Sequence, residues 1–333
     1  MTNFLSQSLL IASSLGLFIL YIVIHLRISP LSSCDRLPVD QLHAARHENT
    51  LGISSLHLLA DQKPDSAKFW VDDDPQVCVL VSTYSGHGLS LLGLATSLLS
   101  SAYPFLDLIL LDTEPRRDST TYLEATAHVI NEMTLGLTGR KVAHISPLAQ
   151  KHIIDHFPSV TAPDYGYILS DLLMQHSLHK GTSDMLADVP PCDYFLLTNG
   201  DNLYSPYLMP SLLKYLRAGV DLIGFDFTSH YQRQVKKQIG DMTKTTILQH
   251  QTLHCQFKVS HIDKGAALIR AKTLWDLDAT LVLHLLRDNP TLQEKPKGRP
   301  NEVRWADGYF YQDFAQRPEV TSVIVPENLF MHL

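Results

Sequence analysis

Short apolar runs that end in polar residues recur along the chain and constrain its fold more than any other feature. Runs of this kind are typical of buried strands, and stretches such as 89–99 and 206–216 have a helical pattern. Buried strands that alternate with helices favour an α/β fold with a mostly parallel sheet, whose ligands bind at the carboxyl ends of the strands. The runs, each with its polar ending, are 77–81 with 82–84, 106–111 with Asp112, 194–198 with 199–202, and 220–225 with Asp226.

Size and charge limit the class of protein. The 333 residues, 45% of them hydrophobic, suffice for one substantial core or two small ones. The formal net charge is −7 and no dense basic stripe occurs, so we expect no nucleic-acid partner. Four widely spaced cysteines lack the paired spacing of a structural zinc site. Their even number permits disulfides, but scattered cysteines also occur in reduced proteins, so the compartment stays open.

An uncharged segment at the N-terminus predicts a membrane anchor. Residues 4–26 contain no Asp, Glu, Lys or Arg, and as a helix they would extend about 34 Å, enough to cross a bilayer. A cleaved signal peptide is the alternative, but no basic side chain precedes the apolar run and no clean small-x-small site follows it. We therefore expect one transmembrane helix within 1–27, a stem at 28–75 and one globular domain at 76–333.

The segment 193–204 carries the most informative chemistry. It places Asp201 at the tip of a buried strand, where a carboxylate can bind Mg²⁺ or Mn²⁺ beside a ligand crevice. In this respect the segment resembles the GT-A glycosyltransferases, which carry an Asp-x-Asp motif at this strand end. Asn199 replaces the first aspartate and brings no charge, but it stays among the expected cofactor-binding residues. The alternative is a plain strand-to-helix turn, because Asn-Gly and Asp-Asn are common turn sequences.

The resemblance covers approximately 76–332 and implies a Rossmann-like sheet with a nucleotide-sugar at its edge. Thr83 and Tyr84, at the end of the first strand, are implied to line the base and the ribose. Asp112 stands where the second strand of the family presents a carboxylate to uracil or ribose, although a turn or helix-cap role explains it equally well. Asp171 is a charge within an otherwise apolar helix and is implied to contact the donor, because an unpaired charge there would be costly.

Residues later in the chain are implied to complete the site. The segment 257–270 resembles the strand after the metal site, on the acceptor side, and Asp263 within it is included among the cofactor-binding residues. His332, after the last strand, is the implied additional metal ligand. Asp307 stands where an inverting enzyme carries its catalytic base, and a helix cap is the alternative explanation for it.

The resemblance implies an enzyme, a glycosyltransferase for which we expect a hexose as the transferred sugar. It would move the sugar from a UDP- or GDP-sugar to a hydroxyl group of a glycan, lipid or protein, with Mn²⁺ or Mg²⁺ as cofactor. A single-pass membrane protein of the Golgi or endoplasmic reticulum with a lumenal domain is also implied, although Arg27 after the anchor favours a cytosolic one.

Two alternatives remain open at the level of the sequence. A catalytically degenerate relative that only binds carbohydrate or nucleotide is favoured by Asn199. A nucleotidyltransferase shares the expected sheet, but residues 85–88 are not the Gly-rich, Arg-containing loop that such an enzyme carries after its first strand.

Overall fold

Strands and helices alternate through the first half of the folded domain, as the apolar runs predict. A computed structural model describes residues 70–83, 87–113, 119–149, 165–177, 191–229, 233–239, 242–248, 251–283 and 306–332. The elements up to the fourth strand are β1 (Val77–Thr83), α1 (Gly88–Leu99), β2 (Leu106–Asp112), α2 (Ser119–Thr138), β3 (Ala143–Ala149), α3 (Tyr165–Leu172), which continues into a π-helical turn (Leu173–Ser177), and β4 (Tyr194–Asn199).

These first four strands pair in parallel, with β1 between β2 and β4 and with β3 next to β2. β1 and β2 are buried along their whole length, which explains why their sequences are apolar throughout instead of alternating. The register places Thr83 opposite Asp112 and Ser82 opposite Asn199. The polar residues that close the apolar runs therefore meet at one edge of the sheet, here called the carboxyl edge.

The second half of the domain extends the same sheet with strands of both directions. Its elements are β5 (Leu203–Tyr204), α4 (Leu208–Arg217), β6 (Leu222–Ser229), β7 (Arg233–Ile239), β8 (Met242–Leu248), β9 (Gln251–Leu253), a 3₁₀ turn (Lys264–Ala266), β10 (Ala267–Arg270), α5 (Ala271–Asp276), α6 (Ala306–Ala315) and β11 (Ser322–His332).

Within the described residues, nine strands form one sheet in the order β3-β2-β1-β4-β10-β6-β11-β5, with β9 also paired to β6, while β7 and β8 form a separate hairpin. The predicted α/β class is confirmed, but the sheet is mixed and not mostly parallel. β10 runs antiparallel to both of its neighbours, β4 and β6, whereas β11 is parallel to β6. A strand of only four residues carries no sequence signal for its direction, so this pairing was not predictable.

Buried polar contacts and a disulfide join the segments at the opposite edge, where β1, β2 and β4 begin, here called the amino edge. Cys78 and Cys192 form a disulfide with a Cα–Cα distance of 5.7 Å. Asp107 is fully buried and accepts hydrogen bonds from Arg140 Nη1 at 2.6 Å and Gln76 Nε2 at 2.5 Å. These contacts hold together segments that are far apart in the sequence.

The predicted localisation is corrected by the helices of the structure. Among the described residues, no helix combines the length and the apolar character needed to cross a bilayer. The longest of them, α2, has 20 residues but carries Glu124, His128 and Glu132. This finding contradicts the prediction of a single-pass membrane protein of the Golgi or endoplasmic reticulum with a lumenal domain. The predicted anchor at 1–27 lies outside the described residues, as does most of the predicted stem.

Candidate functional site

The sheet topology brings distant segments to the carboxyl edge. β1, β2 and β4 end there, and β11 ends there as well because it is parallel to β6, with His332 opposite Ser229. The antiparallel β10 begins there, which places Asp263 and Lys264 just before it at the same edge. The charges of Asp201 and Lys264 shift the pKa of both His87 and His332, and His332 is paired with Asp263. The carboxyl edge therefore carries a cluster of ionisable groups from four parts of the chain.

Asp201 lies in the turn that follows β4. Its Oδ1 is buried and has no hydrogen-bond partner among the residues that the structure describes. Its Oδ2 lies 3.9 Å from His87 Nε2, and the side chain as a whole is 36% exposed. Asn202 fixes the turn, because its backbone N–H donates to Asn199 O and its buried Nδ2 donates to Thr198 Oγ1 at 3.0 Å. An unpaired buried carboxylate oxygen is costly unless a ligand completes it.

His87 is a member of the cluster that the sequence did not reveal. Its Nδ1 lies 3.2 Å from Thr83 Oγ1, so the ring bridges the end of β1 and the Asp201 turn. Gly200 makes this possible, because a Cβ at position 200 would lie 2.6 Å from His87 Nδ1. Burial lowers the pKa of His87, Asp201 opposes this effect, and the Lys264 ammonium group adds to it. A lone histidine in a loop carries no sequence signal of such a position.

His332 and Asp263 form a buried ion pair. Nδ1 of His332 lies 2.9 Å from Oδ2 of Asp263, and Oδ1 of Asp263 accepts a hydrogen bond from the N–H of Gly265. Burial lowers the pKa of His332, but the carboxylates of Asp263 and Asp201 outweigh it and leave the pKa above its usual value. Burial likewise opposes the charge of Asp263, yet His332 holds the pKa of this carboxyl below its usual value. Asp263 thus caps the 3₁₀ turn and orients His332.

Asp307 lies in the first turn of α6 and is 9% exposed. Burial, and after it the charge of Asp263, raises the pKa of Asp307 to about 7. A hydrogen bond with Tyr167, the N–H of Gly308 and the Lys264 ammonium group act in the opposite direction. A carboxyl group with a pKa near neutrality can exchange protons with a substrate under physiological conditions.

Two of the predicted donor-binding residues lie together in the sheet. Thr83 is fully buried, and its backbone oxygen accepts hydrogen bonds from Thr113, the residue after Asp112. Asp112 is buried opposite Thr83 at the end of β2. Tyr84, predicted to contact the nucleotide, lies outside the described residues. The roles of these residues stay predictions.

Asp171 is bound by backbone groups, and the donor contact that the resemblance implied for it stays a prediction. It is fully buried in α3, and its two carboxylate oxygens accept hydrogen bonds from the backbone N–H groups of Leu281, Val282 and Leu283 at 2.6 to 3.0 Å. The cost of a charge in an apolar helix is therefore met by three amide donors. Asp171 holds the 281–283 segment in place, and its carboxylate is enclosed by that backbone instead of joining the charged cluster.

The cluster fits a divalent cation only in part. Among the described residues, no group of three or more His, Cys, Asp or Glu side chains is arranged to hold a metal ion. The unpaired Oδ1 of Asp201 is a suitable hard ligand, and the pairing of His332 with Asp263 is typical of a metal-binding histidine. The chain therefore offers Asp201 and His332 as two ligands, which suits Mg²⁺ or Mn²⁺ when phosphate oxygens supply the others.

A cavity of about 300 Å³ lies along α6. One wall is the 278–281 segment, in which the N–H of Leu281 donates a hydrogen bond to Asp171. The other wall is a face of α6. Aromatic, acidic and basic side chains line the cavity, a combination suited to a ligand with both apolar faces and hydroxyl groups. Its lining residues on the helix and just beyond its end are Tyr309, Phe310, Asp313, Phe314 and Arg317.

Comparisons with known proteins find distant structural similarity. No protein-family model and no curated protein sequence matches the chain. Similar solved structures include S. aureus TarS 1-349 in complex with UDP, at 10% identity and a TM-score of 0.44, covering 77% of this chain and 60% of that one. GalNAc-T7 with UDP, GalNAc and Mn²⁺ is similar at 9% identity and a TM-score of 0.42, covering 79% and 44%.

A third similar structure is the 4-diphosphocytidyl-2C-methyl-D-erythritol synthase of Anaerococcus prevotii, at 12% identity and a TM-score of 0.35, covering 75% of this chain and 87% of that one. Of the TarS fragment named above, this chain spans about 60% of the length. At such low identities and TM-scores, none of these similarities assigns a function to the chain.

Proposed function

We propose that the chain is a glycosyltransferase that moves a hexose from a nucleotide-sugar to an acceptor hydroxyl group. The observation that carries the proposal is the unpaired buried carboxylate oxygen of Asp201 at the carboxyl edge. Asp307 supports it with a carboxyl group whose pKa is near neutrality and responds to the charge of Asp263 at the same edge. Sugar transfer needs both kinds of group, one for the charge of the leaving diphosphate and one for the proton of the acceptor.

Asp201 and His332 would hold the divalent cation, Mn²⁺ or Mg²⁺, in this proposal. The bound ion would neutralise part of the negative charge on the leaving diphosphate. Asn199 can accept or donate a hydrogen bond at the same strand end, but it contributes no charge. The protein ligands therefore carry less negative charge than an Asp-x-Asp pair would, and we expect a cation that binds weakly until the nucleotide is present.

Asp307 is the proposed base. The acceptor oxygen forms a bond to the anomeric carbon, the bond from that carbon to the diphosphate breaks, and the proton of the acceptor hydroxyl passes to Asp307. A direct displacement of this kind inverts the configuration at the anomeric carbon. The hydrogen bond with Tyr167 orients the carboxyl group. Thr83, Asp112 and Asp263, at the other strand ends, would lie on the nucleotide side, for which UDP and GDP are the expected carriers.

The acceptor would enter along α6, because that helix carries Asp307 in its first turn and borders the cavity farther along. Tyr309 and Phe310 offer aromatic surfaces on which a sugar ring or another apolar group can pack, while Asp313 and Arg317 can bind hydroxyl groups. A glycan, or a glycosylated lipid or protein, fits this lining as the acceptor.

A donor screen tests the proposal. The full chain would be incubated with Mn²⁺ and a panel of UDP- and GDP-sugars, and release of the nucleoside diphosphate would be measured. We expect turnover of one donor, and a loss of about 100-fold or more in Asp201→Ala. Asp276→Asn, which removes an exposed carboxylate on α5, is the matched control and should retain full activity. Turnover that survives Asp201→Ala would contradict the assignment.

A catalytically degenerate protein that only binds carbohydrate or nucleotide is the second candidate. Asn199 favours it, as does the lack, among the described residues, of a group of three metal-ligating side chains. The same screen separates the two candidates, because saturable nucleotide binding without release of nucleoside diphosphate from any donor would support the second one.

A further inference from the structure

Lys264 is a buried cation at the carboxyl edge that the proposal above does not use. It is 9% exposed, in the 3₁₀ turn between Asp263 and β10. Its Nζ lies 3.4 Å from Oγ of Ser82, near the end of β1, and 5.1 Å from the centre of the Tyr167 ring. A lysine ammonium group is strongly hydrated, so its burial is costly unless polar partners, nearby carboxylates or a bound anion compensate for the lost water.

The backbone around Lys264 is held rigidly from three sides. Its carbonyl oxygen accepts a hydrogen bond from the buried hydroxyl group of Tyr311, and the next carbonyl, that of Gly265, accepts one from Tyr204. Asp263 caps the turn, because its side chain accepts a hydrogen bond from the Gly265 N–H. A lysine on a turn fixed in this way presents its ammonium group at a defined place, which lowers the entropic cost of binding a ligand there.

The start of α3 approaches Ser82 and the ammonium group closely because residue 166 is a glycine. Gly166, at the start of α3, faces Ser82, and a Cβ at position 166 would collide with Ser82 Oγ and lie 3.8 Å from Lys264 Nζ. Ser82 is paired in register with Asn199, so the ammonium group lies beside the strand end where the first aspartate of an Asp-x-Asp motif would stand. The neutral Asn199 and the cationic Lys264 thus both lie next to Ser82, at the ends of β4 and β1.

The charge of Lys264 reaches the other groups of the cluster. It lowers the pKa of His87 and His332 and favours ionisation of Asp263 and Asp307. The ammonium group, 3.4 Å from Ser82 Oγ near the end of β1, is placed to meet an anion that lies between β1, the Asp201 turn and β11, which is where the proposed function places the diphosphate.

We propose that Lys264 binds the diphosphate of the donor directly, so that nucleotide binding depends only partly on the divalent cation. This inference rests on the proposed function and deepens it. A lysine attached to the chain would supply positive charge that the incomplete cation site, with Asn199 in place of an acid, supplies weakly. In the reaction, Lys264 would stay bound to the diphosphate as it leaves and would stabilise its growing charge.

Equilibrium binding measured by titration calorimetry tests the inference on the full chain. The probes are UDP, GDP and inorganic pyrophosphate, each in EDTA and in Mn²⁺. We expect the wild type to bind a nucleoside diphosphate in EDTA within about tenfold of its affinity in Mn²⁺. Lys264→Met should weaken binding in EDTA by about 10- to 100-fold, the size expected for a charge-assisted hydrogen bond. Pyrophosphate should show the same dependence on Lys264.

Two further variants serve as controls. Lys272→Met removes an exposed lysine on α5, paired with Asp276, and should bind as the wild type does. Lys264→Arg keeps the positive charge and should retain binding within about tenfold of the wild type. Thermal unfolding of each variant shows whether it is folded, and the measurement on the wild type in EDTA does not depend on any variant.

The outcomes separate failure of the inference from failure of the proposed function. Binding in Mn²⁺ with none in EDTA, or equal binding by Lys264→Met and the wild type in EDTA, would overturn the role of Lys264 and leave the glycosyltransferase proposal standing. If no nucleoside diphosphate binds in either condition, both are overturned.

Discussion

The two edges of the sheet use buried acids in opposite ways. At the amino edge, Asp107 accepts hydrogen bonds from Arg140 and Gln76 and lies 3.0 Å from His144 Nε2. Asp221, at the start of β6, accepts from the N–H and the hydroxyl group of Thr321 and lies 3.6 Å from Arg270. Each of these acids is surrounded by donors.

Two acids of the proposed site, Asp201 and Asp307, are less well satisfied, whereas Asp263 beside them is paired with His332. Asp201 has a buried oxygen without a partner in the described part of the chain, and Asp307 has a pKa raised to about 7 because burial and a neighbouring carboxylate oppose its charge. The difference in the number of hydrogen-bond donors around each acid distinguishes the acids that stabilise the fold from those that are available to a ligand. Satisfied acids tie distant segments together, whereas unsatisfied ones reduce stability and are retained where a substrate or a cation completes them.

The largest expected effect concerns Asp307. Replacing it by Asn keeps the size of the side chain but removes the proton acceptor, so kcat should fall by about 100- to 10,000-fold. The donor dissociation constant should stay within about threefold of the wild type, because the base contacts the acceptor and not the nucleotide. Turnover would be measured with the donor identified in the screen, and binding by calorimetry.

Asp276→Asn is the control for that experiment, since it removes an exposed carboxylate at the end of α5, the helix that follows the amino-edge end of β10. In the wild type, kcat should rise as the pH increases through about 7, where Asp307 loses its proton. A variant at position 307 with unchanged kcat would remove Asp307 from the mechanism and weaken the contrast between the edges.

The second prediction concerns Asp107. Asp107→Ala should lower the free energy of unfolding by about 3 kcal/mol, because it leaves Arg140, Gln76 and His144 without their shared acceptor. Arg140 reaches solvent, with 32% of its side chain exposed, and this keeps the loss near the lower end for a buried ion pair. Urea unfolding followed by circular dichroism measures the change.

Asp201→Asn is the comparison variant for Asp107→Ala. Its stability should equal that of the wild type within about 1 kcal/mol, because the unpaired oxygen makes no hydrogen bond that the variant would lose. A loss of stability at Asp201 as large as that at Asp107 would show that the two edges do not differ as described.

The third prediction concerns the disulfide of the amino edge. Replacing both Cys78 and Cys192 by Ala should lower the free energy of unfolding by about 2 to 4 kcal/mol, because the bond closes a loop across 114 positions of the sequence. Dithiothreitol should lower the Tm of the wild type but not that of the double variant. An equal response of both proteins would mean that the bond does not form.

The smallest expected effect is the pH dependence of stability that Asp307 causes. Its folded pKa of about 7 lies above the ordinary value of about 3.9, so between these values the folded protein binds the proton that the unfolded chain releases. This contribution to stability is therefore present at low pH and is lost as the pH rises toward 7. Between pH 5 and 7 the loss should be about 2 kcal/mol.

Asp307→Asn isolates this contribution, because all other titrating groups are shared with the wild type. The difference in unfolding free energy between the variant and the wild type should shift in favour of the variant as the pH rises from 5 to 7. A difference that does not change with pH would show that Asp307 is already ionised at pH 5.

Much of the sheet and part of the candidate site were predictable from the sequence, because they depend on the polarity of residues that are neighbours in the sequence. Apolar runs that are buried on both faces have no polar residues inside them, so the ends of β1, β2 and β4 were visible, and with them Thr83, Asp112 and Asp201. The proximity of residues at the carboxyl ends of neighbouring parallel strands can be predicted from the sequence, because parallel pairing aligns those ends.

Asp171 shows that a correct local argument can require a partner without identifying it. The sequence required a partner for a charge in an apolar helix, and a bound donor was the expected one. The partner is the backbone of 281–283, which comes from more than 100 positions farther along the chain. Only the packing of α3 against that segment supplies the three amide groups.

The sequence by itself determined the α/β class, the strand ends and the acid at position 201, because each follows from the polarity of neighbouring residues. Only the tertiary structure decided that His87 lies between Thr83 and Asp201, that Asp263 orients His332, and that the ammonium group of Lys264 enters the same cluster. The physical reason is the direction of β10 and β11. An antiparallel strand that begins at the carboxyl edge and a parallel one that ends there bring their flanking residues together, and strand direction results from packing across the whole sheet.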